Sequence, residues 1–239
     1  MIDAAEIKAL ARSLGAEQSG IASADSFAQA PEGFRPTDIF DRCRSVVVFL
    51  KAMPTAIPQA ANPAPYSSAA YLIYAELDRL GLDLARAMEA RGAPTVPLPC
   101  DVPYLHWDEG SSHGMGILSM RHAAQLAGLG RLGRNTLLVN EELGNLGYIG
   151  AVLTSAELEP DSPLYGSPCP DHCRLCIDAC PENALIGRTV IQARCRKRSI
   201  TTVGHGFGIY SCHQCRSQCP HSLGSARPAW RKDFKIQVK

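Results

Sequence analysis

The chain of 239 residues is long enough for one large domain or two modest ones with a packed core. Its 24 lysines and arginines against 23 acidic residues leave a formal charge of +1, so charge alone singles out neither nucleic acid nor an acidic ligand. Apolar runs such as Val46–Leu50 are too short to span a bilayer, and Met1–Glu6 has no basic n-region, twin arginine or apolar h-region. A cytoplasmic protein with no membrane partner is expected. In a reducing compartment its ten cysteines point to metal rather than to disulfides.

In chain order, Ile7, Leu10, Ala11 and Leu14 fall at i, i+3, i+4 and i+7 and predict an amphipathic helix closed near Gly15. Gly20–Ala22 and Ser45–Leu50 read as strands, the second apolar enough to be buried on both faces. Ala52–Ser68, rich in Pro and Ala, reads as a surface loop, followed by a long helix over Ala69–Glu89 and a strand at Thr95–Leu98. Leu118–Leu126 predicts a further helix. Thr136–Val139 and Tyr148–Leu153 predict two strands of a hairpin around Glu141–Asn145. The alternation implies an α/β domain over residues 1–158, then a cysteine-rich domain over 159–239 with short helices after each Cys-Pro.

Eight of the ten cysteines fall after residue 168. The first run is Cys169-x3-Cys173-x2-Cys176-x3-Cys180-Pro181, and the second is Cys212-x2-Cys215-x3-Cys219-Pro220, with Cys195 between them. The runs resemble a two-cluster bacterial ferredoxin, in which three cysteines of a run hold one cluster and the fourth, before Pro, crosses to the other. The second run lacks a first cysteine, whose place is Ile209, so Cys195 must supply that ligand from a distance. The resulting assignment gives one [4Fe–4S] cluster to Cys169, Cys173, Cys176 and Cys219, and a second to Cys180, Cys195, Cys212 and Cys215. The first run departs from the pattern by one residue, at Cys169. Zinc held by the Cys173/Cys176 and Cys212/Cys215 pairs stays an alternative, but it leaves four cysteines unused. His172, His213 and His221 read as neighbours of ligands. Cys43 and Cys100 read as packed thiols.

Gly128-Leu-Gly130-Arg-Leu-Gly133 has the form of a dinucleotide fingerprint, but that motif follows a strand and opens a helix. Here a predicted helix precedes it and a strand follows, so a helix C-cap and tight turn is expected instead. The segment Ala127-Gly-Leu-Gly-Arg-Leu-Gly-Arg-Asn135-Thr-Leu-Leu138 resembles the A-G-L-G-x-x-G-x-N-x-L-L stretch of the epoxyqueuosine reductase family. Val152–Asp161 resembles that family's lead-in to its two-cluster domain, and the order of parts agrees. The resemblance implies a nitroreductase-like, corrinoid-binding α/β domain followed by the ferredoxin-like domain, an arrangement also found in reductive dehalogenases. It further implies a cobalamin whose cobalt is reduced through the clusters.

The implied corrinoid would meet Gly128, Gly130, Gly133 and Asn135 through its amides. Its substrate face would be lined by the loop from Cys100 to Gly116, where Tyr104, His106, Asp108 or His113 could deliver a proton. The implied activity is a cobalamin- and iron–sulfur-dependent reductase acting on a small or nucleoside-like substrate, with a ferredoxin or flavodoxin as electron donor. Two departures weaken tRNA as a partner. His113–Gly116 stands where tRNA-modifying members carry an acidic Asp-Thr-x-Pro stretch, and the expectation is a short member without their helical-repeat domain. The basic, aromatic stretch from Arg227 to Lys239 is a second possible contact with nucleic acid. The rival readings are an electron-transfer or reactivating protein serving a partner corrinoid protein, and a zinc-stabilised interaction protein.

Overall fold

Every residue from Ser45 to Leu50 is buried in the computed structural model, which describes residues 3–225. The reason is position. This strand, β2 (Ser45–Ala52), lies between β1 (Gln18–Ser23) and β8 (Gly147–Thr154), with β3 (Thr95–Leu98) on the far side of β8. All three pairings are antiparallel, in register from Gln18↔Leu50 to Ser23↔Ser45, Ser45↔Thr154 to Ala52↔Gly147, and Thr95↔Thr154 to Leu98↔Ala151.

Period-2 alternation divides β2 between two cores. Val47 and Phe49 face α1 (Ala4–Ser13) and α3 (Pro63–Glu89), packing with Ile7, Leu77, Leu84 and Val152. Val46, Val48 and Leu50 face the other side, packing with Ala123, Ala124 and Ala127 in and after α4 (Met120–Leu126). Small side chains let α4 lie close to the sheet, and a Cβ at Gly20 would run into the Ala127 carbonyl. Asp161 fastens the segment leaving β8. Its carboxylate accepts from Lys8 Nζ at 2.6 Å and from the Ile21 N–H at 2.8 Å.

Two expectations need correction. Helix α3 starts at Pro63, not Ala69, because Asn62 caps it by accepting from Ala64 N–H at 2.8 Å and proline at the first helical position costs no hydrogen bond. The hairpin expected around residues 141–145 is not formed between the strands named. β7 (Leu138–Val139) pairs with β6 (Arg131–Leu132), while β8 enters the main sheet. A strand as apolar as Tyr148–Leu153 needs neighbours on both edges, which β2 and β3 supply.

Short elements complete the order: α2 (Pro36–Ile39), a hairpin of β4 (His106–Asp108) and β5 (His113–Met115), α5 (Leu175–Asp178), β9 (Leu185–Ile186) with β10 (Thr189–Val190), α6 (Gln192–Ser199), β11 (Ile200–Thr202) with β12 (Gly208–Tyr210), and α7 (Gln214–Ser217). The single-turn helices α5 and α7 precede each Cys-Pro rather than follow it, because turns occupy the residues after each proline. Among the described residues no helix is long and apolar enough to cross a membrane. The stretch Arg227–Lys239 lies outside the described residues.

Candidate metal centre and adjoining cleft

Helices α5 and α7 pack against each other, and this brings the two cysteine runs together. A small pocket, partly open to solvent, is lined by Cys169, Cys173 and Cys176 of the first run and Cys219 of the second, with Arg134, Asn135 and His221 beside them. The remaining four cysteines form a second neighbourhood. Burial raises the Cys195 thiol pKa, and Cys180 and Cys212 add to the rise. Burial likewise pushes Cys215 up to about 12, with Cys195 and Cys212 among its electrostatic neighbours. Cys195 reaches this group from α6, well away from either run.

Backbone donors point at several sulfurs. Arg134 N–H donates to Cys169 Sγ and Ala184 N–H to Cys180 Sγ, both at 3.3 Å. Burial pushes Cys219 up to about 11, against a backbone N–H from His221 that favours its thiolate. His221 Nε2 and Asn145 Oδ1 are buried without a protein partner. Among the described residues no three His, Cys, Asp or Glu side chains converge closely enough to hold one metal ion, as a zinc site would with sulfurs about 2.3 Å from the ion. An all-thiol donor set, with backbone N–H groups aimed at sulfur and the unpartnered His221 Nε2 in its lining, fits a multi-iron core.

The glycine segment serves this centre in a way the sequence reading did not anticipate. Gly128, with φ +72°, ends α4, and Leu129 N–H bonds back to Ala124 C=O at 2.8 Å, giving the expected helix C-cap. A Cβ at Gly128 would come 2.9 Å from Ser162 O, one at Gly130 2.6 Å from Val139 O, and one at Gly133 2.8 Å from Asn135 Oδ1. Asn135 is 3 % exposed, donates from Nδ2 to Cys215 C=O at 3.0 Å and accepts from Leu137 N–H at 3.2 Å. It holds the loop that carries Cys215.

Of the four candidate proton donors, the structure draws one into a buried polar group. Tyr104 Oη donates to Asp101 Oδ1 at 3.0 Å, and Tyr210 Oη donates to Asp101 Oδ2 at 3.2 Å. Burial first, then the Asp101 charge, raises the pKa of both phenols. His106 leans its ring on Phe34, with centroids 4.8 Å apart. Asp108 is held below the ordinary carboxylate range chiefly by the Ser111 N–H, and it pairs with His113 across the β4–β5 hairpin.

Asp101 and Tyr210 were missed as site residues. Tyr210 is 109 positions from Asp101, and no local pattern links them. Arg121 was missed too. It donates to Thr136 O at 2.6 Å and Thr136 Oγ1 at 2.8 Å, and its electrostatic neighbours are Tyr74, Tyr104 and Cys215, so it lies between the Tyr104 group and the second cysteine group. His122 bonds through Nδ1 to Ser119 Oγ at 2.7 Å at the start of α4. Cys43 is buried, with its pKa raised to about 11 by desolvation, as suits an inert thiol.

No protein-family model matches the chain. By sequence it is 38 % identical over 119 residues to the epoxyqueuosine reductase of Staphylococcus aureus, covering 46 % of this chain and 31 % of that protein. It is 29 % identical to the epoxyqueuosine reductase of Gloeobacter violaceus across 94 % of this chain and 77 % of that one. The matched stretch thus spans about a third of the length of the first of these relatives. In structure it matches epoxyqueuosine reductase from Streptococcus thermophilus with a TM-score of 0.66 at 22 % identity, covering 94 % of this chain and 67 % of that one. It matches a catabolic reductive dehalogenase with a TM-score of 0.64 at 22 % identity, covering 91 % and 31 %. The chain is a relative of the epoxyqueuosine reductases by sequence, with a fold shared by those enzymes and by reductive dehalogenases.

Proposed function

We propose that the chain is an iron–sulfur reductase with a nitroreductase-like domain over residues 1–158 and a ferredoxin-like domain over 159–239. The first holds a corrinoid and the second holds two [4Fe–4S] clusters. The observation that carries this reading is the four-cysteine pocket built from both runs, together with Asp101 shared by Tyr104 and Tyr210. Reductive dehalogenase chemistry is described as B12-dependent in one structural neighbour, and an epoxyqueuosine reductase has been solved with a modified tRNA stem loop. Both support a reductase reading; the proposed substrate is small or nucleoside-like, and the proposed electron donor is a ferredoxin or flavodoxin.

Bound at these sites, the clusters would supply single electrons and the corrinoid a strongly reducing cobalt. Val102, Leu105, Trp107 and Met115 leave large apolar surfaces exposed, at 62, 74, 42 and 43 %, and could cover a flat ring. Arg196 lies over the Trp107 and Tyr104 rings at 4.8 and 5.8 Å and holds them in place. The raised pKa keeps Tyr104 protonated at neutral pH, so its Oη can give a proton to a reduced substrate, with Asp101 fixing the donor's direction.

Iron, sulfide, cobalt and zinc analysis after anaerobic purification tests the proposal. About eight irons with bound cobalamin is the expected result. About eight irons with no cobalamin uptake at excess ligand would favour electron transfer to a partner corrinoid protein. Zinc without iron would overturn both.

A further inference from the structure

Arg216 follows Cys215 directly and is only 9 % exposed. Among the described residues no carboxylate forms an ion pair with it. Its guanidinium donates to the Asn145 carbonyl and lies over the Tyr148 ring at 5.0 Å. The groups that face it most closely in electrostatic terms are Tyr66, Tyr148, Cys215 and Tyr74. Its own backbone carbonyl accepts from Asn145 Nδ2 at 3.1 Å. Tyr66, which stacks on His213 at 4.3 Å, walls the other side.

Guanidinium does not lose its proton in a protein. A buried cation without a counter-anion is costly, and a carbonyl and an aromatic face relieve that cost only in part. Of the four groups that act on it electrostatically, three are phenols, a side chain uncharged at neutral pH, which leaves the cysteine sulfur as the available anion. A cluster bound by four thiolates is anionic, and reduction adds another negative charge, so a fixed cation beside it favours the reduced form. We infer that Arg216 is the internal counter-cation of the iron–sulfur centre ligated by Cys215 and raises that centre's reduction potential. This rests on the iron–sulfur reading above.

The test uses the anaerobically purified full chain, with iron content and an EPR-monitored redox titration of wild type, R216Q and R216K. At the potential where the wild-type centre is half reduced, R216Q should show about a tenfold lower ratio of reduced to oxidised cluster, equivalent to a 59 mV shift for one electron. R216K should stay near wild type. Loss of iron in R216Q but not in R216K would also support the counter-charge. An R216Q protein with full iron and an unmoved potential overturns it, as does an equal shift or equal iron loss in both variants. Wild type without iron would instead remove the parent reading, and the proposal with it.

Discussion

The Gln192 side chain makes both backbone hydrogen bonds of Gly114: Gly114 N–H donates to Oε1 and Nε2 donates to the Gly114 carbonyl, each at 3.0 Å. Gln192 opens α6, one turn before Cys195, and Arg196 on the same helix lies over Trp107. The hairpin carrying three of the candidate proton donors is therefore held by the helix that delivers an isolated cysteine to the metal centre. Removing iron should loosen α6 and release the hairpin. Hydrogen exchange should rise across residues 104–115 in the iron-free protein, and Gln192→Ala should reproduce the rise with iron still bound. Unchanged protection in both cases would show that the hairpin is held independently.

Tyr104 differs from the other candidates in donating to a half-buried carboxylate, Asp101. Tyr104→Phe removes the donated proton and leaves the packing, so substrate reduction should fall by about 10²–10⁴-fold with iron content unchanged. Alanine at His106, Asp108 or His113 should cost less than tenfold, because those side chains sit on the hairpin rather than at Asp101. A Tyr104→Phe enzyme of normal rate would move the proton donor elsewhere.

The buried phenols set an alkaline limit to stability. Tyr74, Tyr104, Tyr148 and Tyr210 all have pKa values raised by burial above the ordinary phenol value. In each, the folded state holds its proton more tightly than the unfolded chain does. The resulting stability is complete below the unfolded pKa near 10 and declines as pH rises above it. Urea midpoints measured between pH 8 and 11.5 should begin to fall above about pH 8.5, as the buried Cys43 and half-buried Cys100 thiols resist ionisation, and fall more steeply above about pH 10 as the phenols join. Tyr148→Phe should make the fall shallower, and an identical slope in that variant would contradict the account.

The cysteine groups were legible because each run carries its ligands at short spacing, where a single helical turn decides which sulfurs face together. The second neighbourhood needed only one long-range guess, Cys195, and the gap at Ile209 supplied it. The main sheet was less legible. The apolar run of β2 announced burial on both faces, but nothing local to Tyr148–Leu153 said that its partners would be β2 and β3 rather than the nearer Thr136–Val139. Asp101 with Tyr210, and Arg216 with Tyr148, join residues far apart in the chain, and such pairs arise only when the cysteine segment closes on α3 and β8.

Asn135 shows what this closure is worth. Its Nδ2 binds the carbonyl of Cys215, and its Oδ1 receives the Leu137 N–H, while its backbone follows Arg134, whose N–H reaches Cys169. Two consecutive residues, Arg134 and Asn135, thus support a loop from each cysteine group. Asn135→Ala would leave a buried carbonyl and a part-buried N–H without partners, at about 1–3 kcal/mol each where water cannot replace the bond. Asn135→Asp would keep the acceptor for Leu137 but turn the donor toward Cys215 into a second acceptor, placing a negative charge against a carbonyl and near anionic sulfur. The expected order of iron retention during dilution into chelator is wild type, then Ala, then Asp, with melting temperatures in the same order. An Asp variant as stable and as iron-retentive as wild type would show that Asn135 faces solvent or another ligand in the loaded protein.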